Sequence, residues 1–158
     1  MPLSKNTAAY IEEEMKIAIG SDHRGLKLKA EIIDLLAGMG HEARDMGAYD
    51  TNSVDYPDIA QTVCGEVTQG NAVFGILICG TGIGMSIAAN KFKGIRAALC
   101  CSVFMAGRAR QHNDANVICM GVETASDPLE ITRAFLAGNY EGGRHQNRLD
   151  KIAEIENC

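Results

Sequence analysis

Five short segments alternate with longer stretches along the chain, and most of them are strongly apolar. They cover residues 16–21, 41–46, 73–79, 96–100 and 116–120. The second is only weakly apolar. The other four are continuously apolar rather than alternating, which is typical of strands that are covered on both faces. The pattern therefore predicts five strands of a buried parallel sheet.

Between these segments, apolar residues recur every three or four positions, as they do on one face of an α-helix. The helical stretches cover residues 26–37, 57–67, 83–88, 103–110 and 129–136, and a charged terminal stretch covers 142–158. Pro57 and Pro128 open two of these helices, and Gly38 ends the first. Strands that alternate with helices favour a parallel sheet with helices on both faces. We expect one domain over residues 15–158, preceded by an arm at 1–14.

Composition narrows the possible classes of function. The chain has 158 residues, a formal net charge of −5 and 46% apolar residues, so we expect one soluble domain with a sizeable core. An acidic chain without a basic run argues against nucleic-acid binding. No apolar run approaches the ~20 residues of a membrane helix. Four of the six cysteines lie in or beside apolar stretches, which indicates reduced, buried cysteines in a cytoplasmic protein. The absence of a CxxC pair argues against a structural metal site.

A glycine-rich turn, Gly80-Thr81-Gly82-Ile83-Gly84, directly follows the third predicted strand and opens a helix. Backbone N–H groups in such a turn can point at one spot, and the helix dipole adds partial positive charge there. The turn therefore predicts a nest for a phosphate or a developing oxyanion. The alternative is a tight turn without a ligand. A dinucleotide-binding G-x-G-x-x-G pattern is excluded because Met85 stands at its last glycine.

Candidate acids and bases lie near the ends of the predicted elements. Cys79 directly precedes the glycine-rich turn, where the positive end of a helix can stabilise a thiolate that acts as a base. Asp22 and His23 follow the first strand, and His112 and Asn113 end the fourth helix. Ligands of open parallel sheets bind beyond the carboxyl ends of the strands. We expect all of these residues to lie along that one edge.

Two arginines in the terminal stretch are candidates for phosphate binding. Arg144 and Arg148 are four residues apart, so they share one helix face and can converge on a phosphate. The alternative is two solvated arginines. The sparse apolar residues Leu149, Ile152 and Ile155 predict that this helix packs on a surface of the domain or on a partner subunit.

Five segments of the chain resemble the ribose-5-phosphate isomerase type B family, which also includes allose-6-phosphate and galactose-6-phosphate isomerases. They are SDHRG, VDYPDIA, GILICGTGIGMSIAANKFKGIRAA, RQHNDANV and YEGGRHQNRLDKI, between residues 16 and 155. The resemblance implies a three-layer, Rossmann-like α/β/α sandwich on a five-stranded parallel sheet. It also implies a homodimer or homotetramer with active sites between two subunits, and no metal or organic cofactor.

The resemblance further implies an isomerase that interconverts ribose 5-phosphate and ribulose 5-phosphate through an enediolate. Cys79 would be the base that moves the proton between C2 and C1. Relatives with serine there use an acid farther along, which Met85 and Ser86 do not supply. The other implied roles are enediolate binding by Gly80, Thr81, Gly82, Gly84 and Asn113, ring opening by His112, hydroxyl binding by Asp22, and phosphate binding by His23, Arg144 and Arg148.

The chain departs from this family at two places. Glu123 stands where many members carry arginine. Its carboxylate could weaken binding of the phosphate, or it could pair with Arg144 or Arg148. Residues 102–106 lack an acid that many members have, which could change the subunit contact or the pocket wall. Two other functions stay open, a hexose 6-phosphate isomerase and a non-catalytic sugar-phosphate sensor. Cys79 argues against the sensor, because binding requires no thiol.

Overall fold

The sheet is all-parallel and has five strands. A computed structural model describes residues 13–158, so most of the predicted arm lies outside the described residues. The strands are β1 (Lys16–Ser21), β2 (Glu42–Asp45), β3 (Phe74–Cys79), β4 (Ala97–Leu99) and β5 (Val117–Gly121). Their order in the sheet is β2-β1-β3-β5-β4. The five predicted strands are confirmed, with the second, third and fourth shorter than predicted.

Helices cover both faces of this sheet. They are α1 (Leu26–Gly38), α2 (Tyr56–Thr68), α3 (Ile83–Ala89), α4 (Val103–Asn113), α5 (Pro128–Ala137) and α6 (Arg144–Glu156). The apolar sides of α1, α4 and α5 join one core layer, and those of α2 and α3 join the other. Within β1, Ile17 and Ile19 face the first layer and Ala18 faces the second, which is why the strand is apolar throughout. The predicted three-layer α/β/α sandwich is confirmed.

The direction of the chain defines two edges of the sheet. All strands end at one edge, here called the carboxyl edge, and each helix between two strands returns the chain to the opposite amino edge. The helix α4 ends at Asn113, shortly before β5 begins at Val117. Arg96, which directly precedes β4, donates from Nε to the main-chain oxygen of Asn113 at 3.1 Å. The end of α4 therefore lies at the amino edge.

None of the helices in residues 13–158 has the length and apolar character to cross a membrane.

Candidate active site

The glycine-rich turn wraps its backbone around the Cys79 thiol at the carboxyl edge. Cys79 is the last residue of β3 and is 6% exposed. Its Sγ accepts a hydrogen bond from the backbone N–H of Gly82 at 3.1 Å. Gly82 has φ +78°, and a Cβ there would lie 2.6 Å from Leu99 Cδ1 and 2.9 Å from the Met120 carbonyl carbon. Only glycine fits this position. The glycine at residue 82 therefore allows the turn to point its backbone N–H at the sulfur.

Burial raises the thiol pKa of three other cysteines. Burial raises the pKa of the Cys64 and Cys100 thiols to about 12, and it raises the pKa of Cys119 as well. These thiols are therefore protonated at neutral pH and unsuited to act as bases. All three are core residues, and Cys79 is the buried cysteine beside the glycine-rich turn.

Hydrogen bonds fix the turn after β3 to the turn after β5. The backbone N–H groups of Val122 and Glu123 donate to the carbonyls of Cys79 and Gly80, both at 2.9 Å. The Thr124 hydroxyl donates to the main-chain oxygen of Thr81 at 3.1 Å. Thr81 Oγ1 in turn accepts from the backbone N–H of Ile83 at 3.3 Å. The N–H donors of the turn are thus held in place before any ligand arrives, as electrostatic catalysis requires.

Asp22 and His23 lie beside this turn, because β1 is the neighbour of β3. The backbone N–H of Asp22 donates to the carbonyl of Ile78 at 3.1 Å, and the residue is 8% exposed. Nδ1 of His23 accepts from the backbone N–H of Val54 at 3.4 Å, which leaves Nε2–H free to donate to a ligand. The predicted grouping of Asp22, His23, Cys79 and the glycine-rich turn at the carboxyl edge is confirmed. We call it the carboxyl-edge cluster.

His112 and Asn113 do not join that cluster, so the prediction that they share its edge is wrong for a single chain. They form the last turn of α4, and that turn lies at the amino edge. The six residues of β3 separate the two edges by about 20 Å. No side chain spans that distance. His112 and Asn113 can therefore act with Cys79 only if they come from a different copy of the chain.

His112 belongs to a second group of polar residues at the amino edge. Its ring stacks on that of His145, with centroids 4.2 Å apart and an interplanar angle of 17°. Oε2 of Glu141 lies 3.6 Å from Nε2 of His145 and 3.9 Å from Nε2 of His112. Arg144 and Arg148 are exposed, one turn apart at the start of α6, beside the same histidines. We call these residues, with Asn113, the amino-edge cluster.

The surroundings of His112 favour its neutral form. Partial burial lowers the pKa of its imidazole, and the nearby positive charges of His145 and Arg108 lower the pKa further. Nη1 of Arg108 lies 3.4 Å from Nε2 of His112. The carboxylate of Glu141 acts in the opposite direction. A neutral imidazole at pH 7 can accept a proton from a hydroxyl of the substrate.

The charged neighbours of His112 make a testable pair. In an NMR titration we expect its pKa to lie below the ordinary histidine value of about 6.5. Arg108→Gln should raise that pKa because a cation is lost, and Glu141→Gln should lower it because an anion is lost. The resonance of His23, at the other edge, serves as the control in both variants. If neither substitution moves the His112 titration, its electrostatic environment is not the one described.

His112, Glu141 and His145 also bring their ligand atoms within 4.8 Å of one another, which is close enough for a metal ion. The guanidinium of Arg108 beside His112 opposes a dication at this place. The absence of a metal from the reaction stays a prediction.

Glu123 has a partner that the sequence reasoning missed. Its carboxylate pairs with the guanidinium of Arg24, not with Arg144 or Arg148 of the same chain. Arg24, Glu141 and His145 all stand within the segments SDHRG and YEGGRH that carry the family resemblance. In the sequence, these three residues stand next to predicted site residues and are charged or titratable. The local sequence does not show which residues they contact.

Comparison with known proteins agrees with this geometry. The chain matches the family model described as Ribose/Galactose Isomerase over residues 17–152. It is 48% identical to ribose-5-phosphate isomerase B of Escherichia coli over 143 residues, which cover 89% of this chain and 96% of that protein.

Solved structures show the same fold. Ribose-5-phosphate isomerase B of Clostridium thermocellum superposes with a TM-score of 0.88 at 48% identity, covering 90% of this chain and 98% of that one. The isomerase B of Mycoplasma genitalium, whose structure holds ribulose-5-phosphate, superposes with a TM-score of 0.85 at 44% identity. That match covers 90% of this chain and 96% of the Mycoplasma chain.

Proposed function

Since the chain belongs to the ribose/galactose isomerase family, we propose that it interconverts ribose 5-phosphate and ribulose 5-phosphate, with Cys79 as the base. The observation that carries the proposal is the hydrogen bond from the backbone N–H of Gly82 to the Cys79 sulfur at 3.1 Å. This N–H belongs to a turn whose donors are already held in place. The N–H group stabilises a thiolate, and a thiolate can remove a proton from carbon. A protein that only binds a sugar phosphate could use the N–H donors but needs no thiolate.

The proposed reaction shifts two protons, one between carbons and one between oxygens, and leaves the composition of the sugar unchanged. After the ring has opened, the Cys79 thiolate takes the proton from C2 of the aldose, and the electron pair of the C–H bond forms an enediolate. The resulting thiol returns the proton to C1 while the hydroxyl proton of O2 passes to O1, so that the carbonyl forms at C2 and the ketose results. The backbone donors of Gly80–Gly84 and the Asn113 side chain hold the enediolate oxygens, and each such donor is worth roughly 3–4 kcal/mol of the barrier.

The two polar clusters of one chain cannot form one site, and this supports a shared site. We place the amino-edge cluster of one subunit over the carboxyl-edge cluster of a second copy. His112 then assists ring opening and Asp22 holds a sugar hydroxyl. Arg144 and Arg148 bind the phosphate from one subunit, and His23 binds it from the other. A twofold axis makes two equal sites per dimer.

Exposed apolar side chains on α4 and α6 support the same association. Phe104 is 69% exposed and Ile155 is 72% exposed, although both are large apolar residues. A groove of about 410 Å³ lies between α6 and the edge strand β4, and Ala98, Leu149 and Ile152 line part of it. An unpaired edge strand next to exposed apolar side chains is a natural surface for a second copy.

Assays of the purified chain on ribose 5-phosphate and allose 6-phosphate, side by side, test the proposed function. We expect the larger kcat/KM on ribose 5-phosphate. A larger value on allose 6-phosphate would assign the chain to hexose phosphates. Binding of both sugars without turnover would make it a sensor.

Arg148 gives a prediction about the phosphate end of the substrate. A guanidinium–phosphate contact is charge-assisted, so Arg148→Ala should raise KM for ribose 5-phosphate about tenfold or more. Arg133→Ala is the control, because Arg133 is an exposed arginine that pairs with Glu130 on α5. Turnover of unphosphorylated ribose, measured in parallel, should change much less. Equal losses on both sugars would make Arg148 a structural residue.

A further inference from the structure

An ion pair crosses the carboxyl-edge cluster from one side to the other. Arg24 lies in the loop after β1 and Glu123 lies in the turn after β5, so their contact passes over the end of β3. The two residues are 99 positions apart in the sequence. Their side chains are 51% and 52% exposed. An ion pair this exposed adds little to stability, so its position at the site needs another explanation.

Both partners are anchored to the residues that form the cluster. The backbone N–H of Arg24 donates to Oδ1 of Asp22 at 2.9 Å. The backbone N–H of Glu123 donates to the carbonyl of Gly80 at 2.9 Å. The guanidinium packs on Gly80 so closely that a Cβ there would overlap Nη1 and lie 3.0 Å from Cζ. The absence of a side chain at Gly80 therefore makes room for Arg24 across the mouth of the glycine-rich turn.

The contact with Glu123 leaves donors of Arg24 available. A guanidinium has five N–H groups in one plane, and the ion pair involves Nη2. His23, the neighbouring residue, keeps its Nε2–H free because Nδ1 accepts from Val54. Arg24 directly follows His23 in the loop after β1, and its guanidinium lies against Gly80 of the glycine-rich turn. The pairing also neutralises Glu123, whose carboxylate would otherwise repel that anion.

We propose that Arg24 is a substrate-binding residue for the phosphate group of the sugar phosphate, and that Glu123 is a positioning residue that holds the guanidinium over Gly80. The proposal rests on the proposed function for the identity of the substrate. The binding of a phosphate dianion by Arg24 is independent of the proposed function, because it can be measured without turnover.

Three variants separate the two roles. Arg24→Gln should weaken binding of inorganic phosphate about tenfold, because it removes a charge-assisted contact and leaves Glu123 unpaired. The double variant Arg24→Gln, Glu123→Gln should bind phosphate better than Arg24→Gln alone, because the repelling carboxylate is gone. Glu123→Gln alone should weaken binding two- to fivefold through the misplaced guanidinium.

Calorimetry with inorganic phosphate gives the dissociation constants, and KM and kcat for ribose 5-phosphate are measured on the same proteins. We expect KM to follow the phosphate dissociation constant and kcat to change less than threefold. Arg44→Gln is the matched control, because Arg44 also forms an ion pair, with Glu66 at 2.7 Å and away from the cluster. It should leave all three constants unchanged.

The outcomes distinguish this proposal from the proposed function. Phosphate binding within twofold of wild type in Arg24→Gln would overturn the role of Arg24. A double variant no better than Arg24→Gln would overturn the role of Glu123. If phosphate binding falls as expected but the wild-type chain does not isomerise ribose 5-phosphate, the proposed substrate is wrong and the anion site stands.

Discussion

Cys79→Ala is expected to lower kcat for ribose 5-phosphate by about 10³-fold or more, because it removes the thiolate that we propose takes the C2 proton. The sulfur lies at the end of β3, within hydrogen-bond reach of the Gly82 N–H. Its replacement leaves the N–H donors and the phosphate-binding residues in place. Binding of the sugar phosphate should therefore persist while turnover is lost, and calorimetry together with a coupled assay measures both.

Cys119→Ala is the matched control for this experiment. Cys119 is a fully buried cysteine in the neighbouring strand β5 and packs in the same core layer as Cys79. Its loss creates a similar packing defect without touching the proposed chemistry. We expect Cys119→Ala to keep kcat within about threefold of wild type. Turnover of Cys79→Ala within tenfold of wild type would remove Cys79 from the role of base.

The elements of the fold could be predicted because both faces of the sheet are buried. A central strand such as β1 has apolar side chains toward each helical layer, so its sequence is continuously apolar and easily recognised. The edge strand β4 has one neighbour and only half-buried side chains, and it proved shorter than predicted. Helix α4 ends at Asn113, where the polar residues that follow its apolar stretch predicted its end.

The edge at which His112 lies can be predicted from topology, but not from the types of residue around it. A helix between two parallel strands must bring the chain back to the start of the next strand. A residue in its last turn therefore lies at the amino edge. The polar neighbours of His112 indicate a site residue. They carry no information about the edge of the sheet at which that residue lies.

The ion pair between Arg24 and Glu123 shows what local patterns cannot supply. The alternation of strands and helices does not give the order of strands in the sheet, and the pair forms only because β1 and β5 both flank β3. The glycine-rich turn was different. Its glycines, its place after a buried strand and the preceding cysteine are all local, so that part of the site could be predicted.

Hybrid dimers can show directly whether the active site is shared between subunits. One chain carries Cys79→Ala, and the other carries His112→Ala together with Arg148→Ala. In the shared arrangement, one of the two sites in the hybrid combines an intact Cys79 with an intact amino-edge cluster. Two separately tagged chains, purified through both tags, should then have about half of the wild-type kcat, although each homodimer is inactive.

A second hybrid reverses the expectation and serves as the control. Here all three substitutions lie on one chain and its partner is wild type. If the site is shared, each site lacks one half, and the hybrid should be inactive. If the site lay within one chain, the wild-type subunit would keep its own site, so this hybrid would have half activity and the first would have none. The length of β3, roughly 20 Å, separates the edge of Cys79 from the edge of His112 in one chain, which is why we expect the shared arrangement.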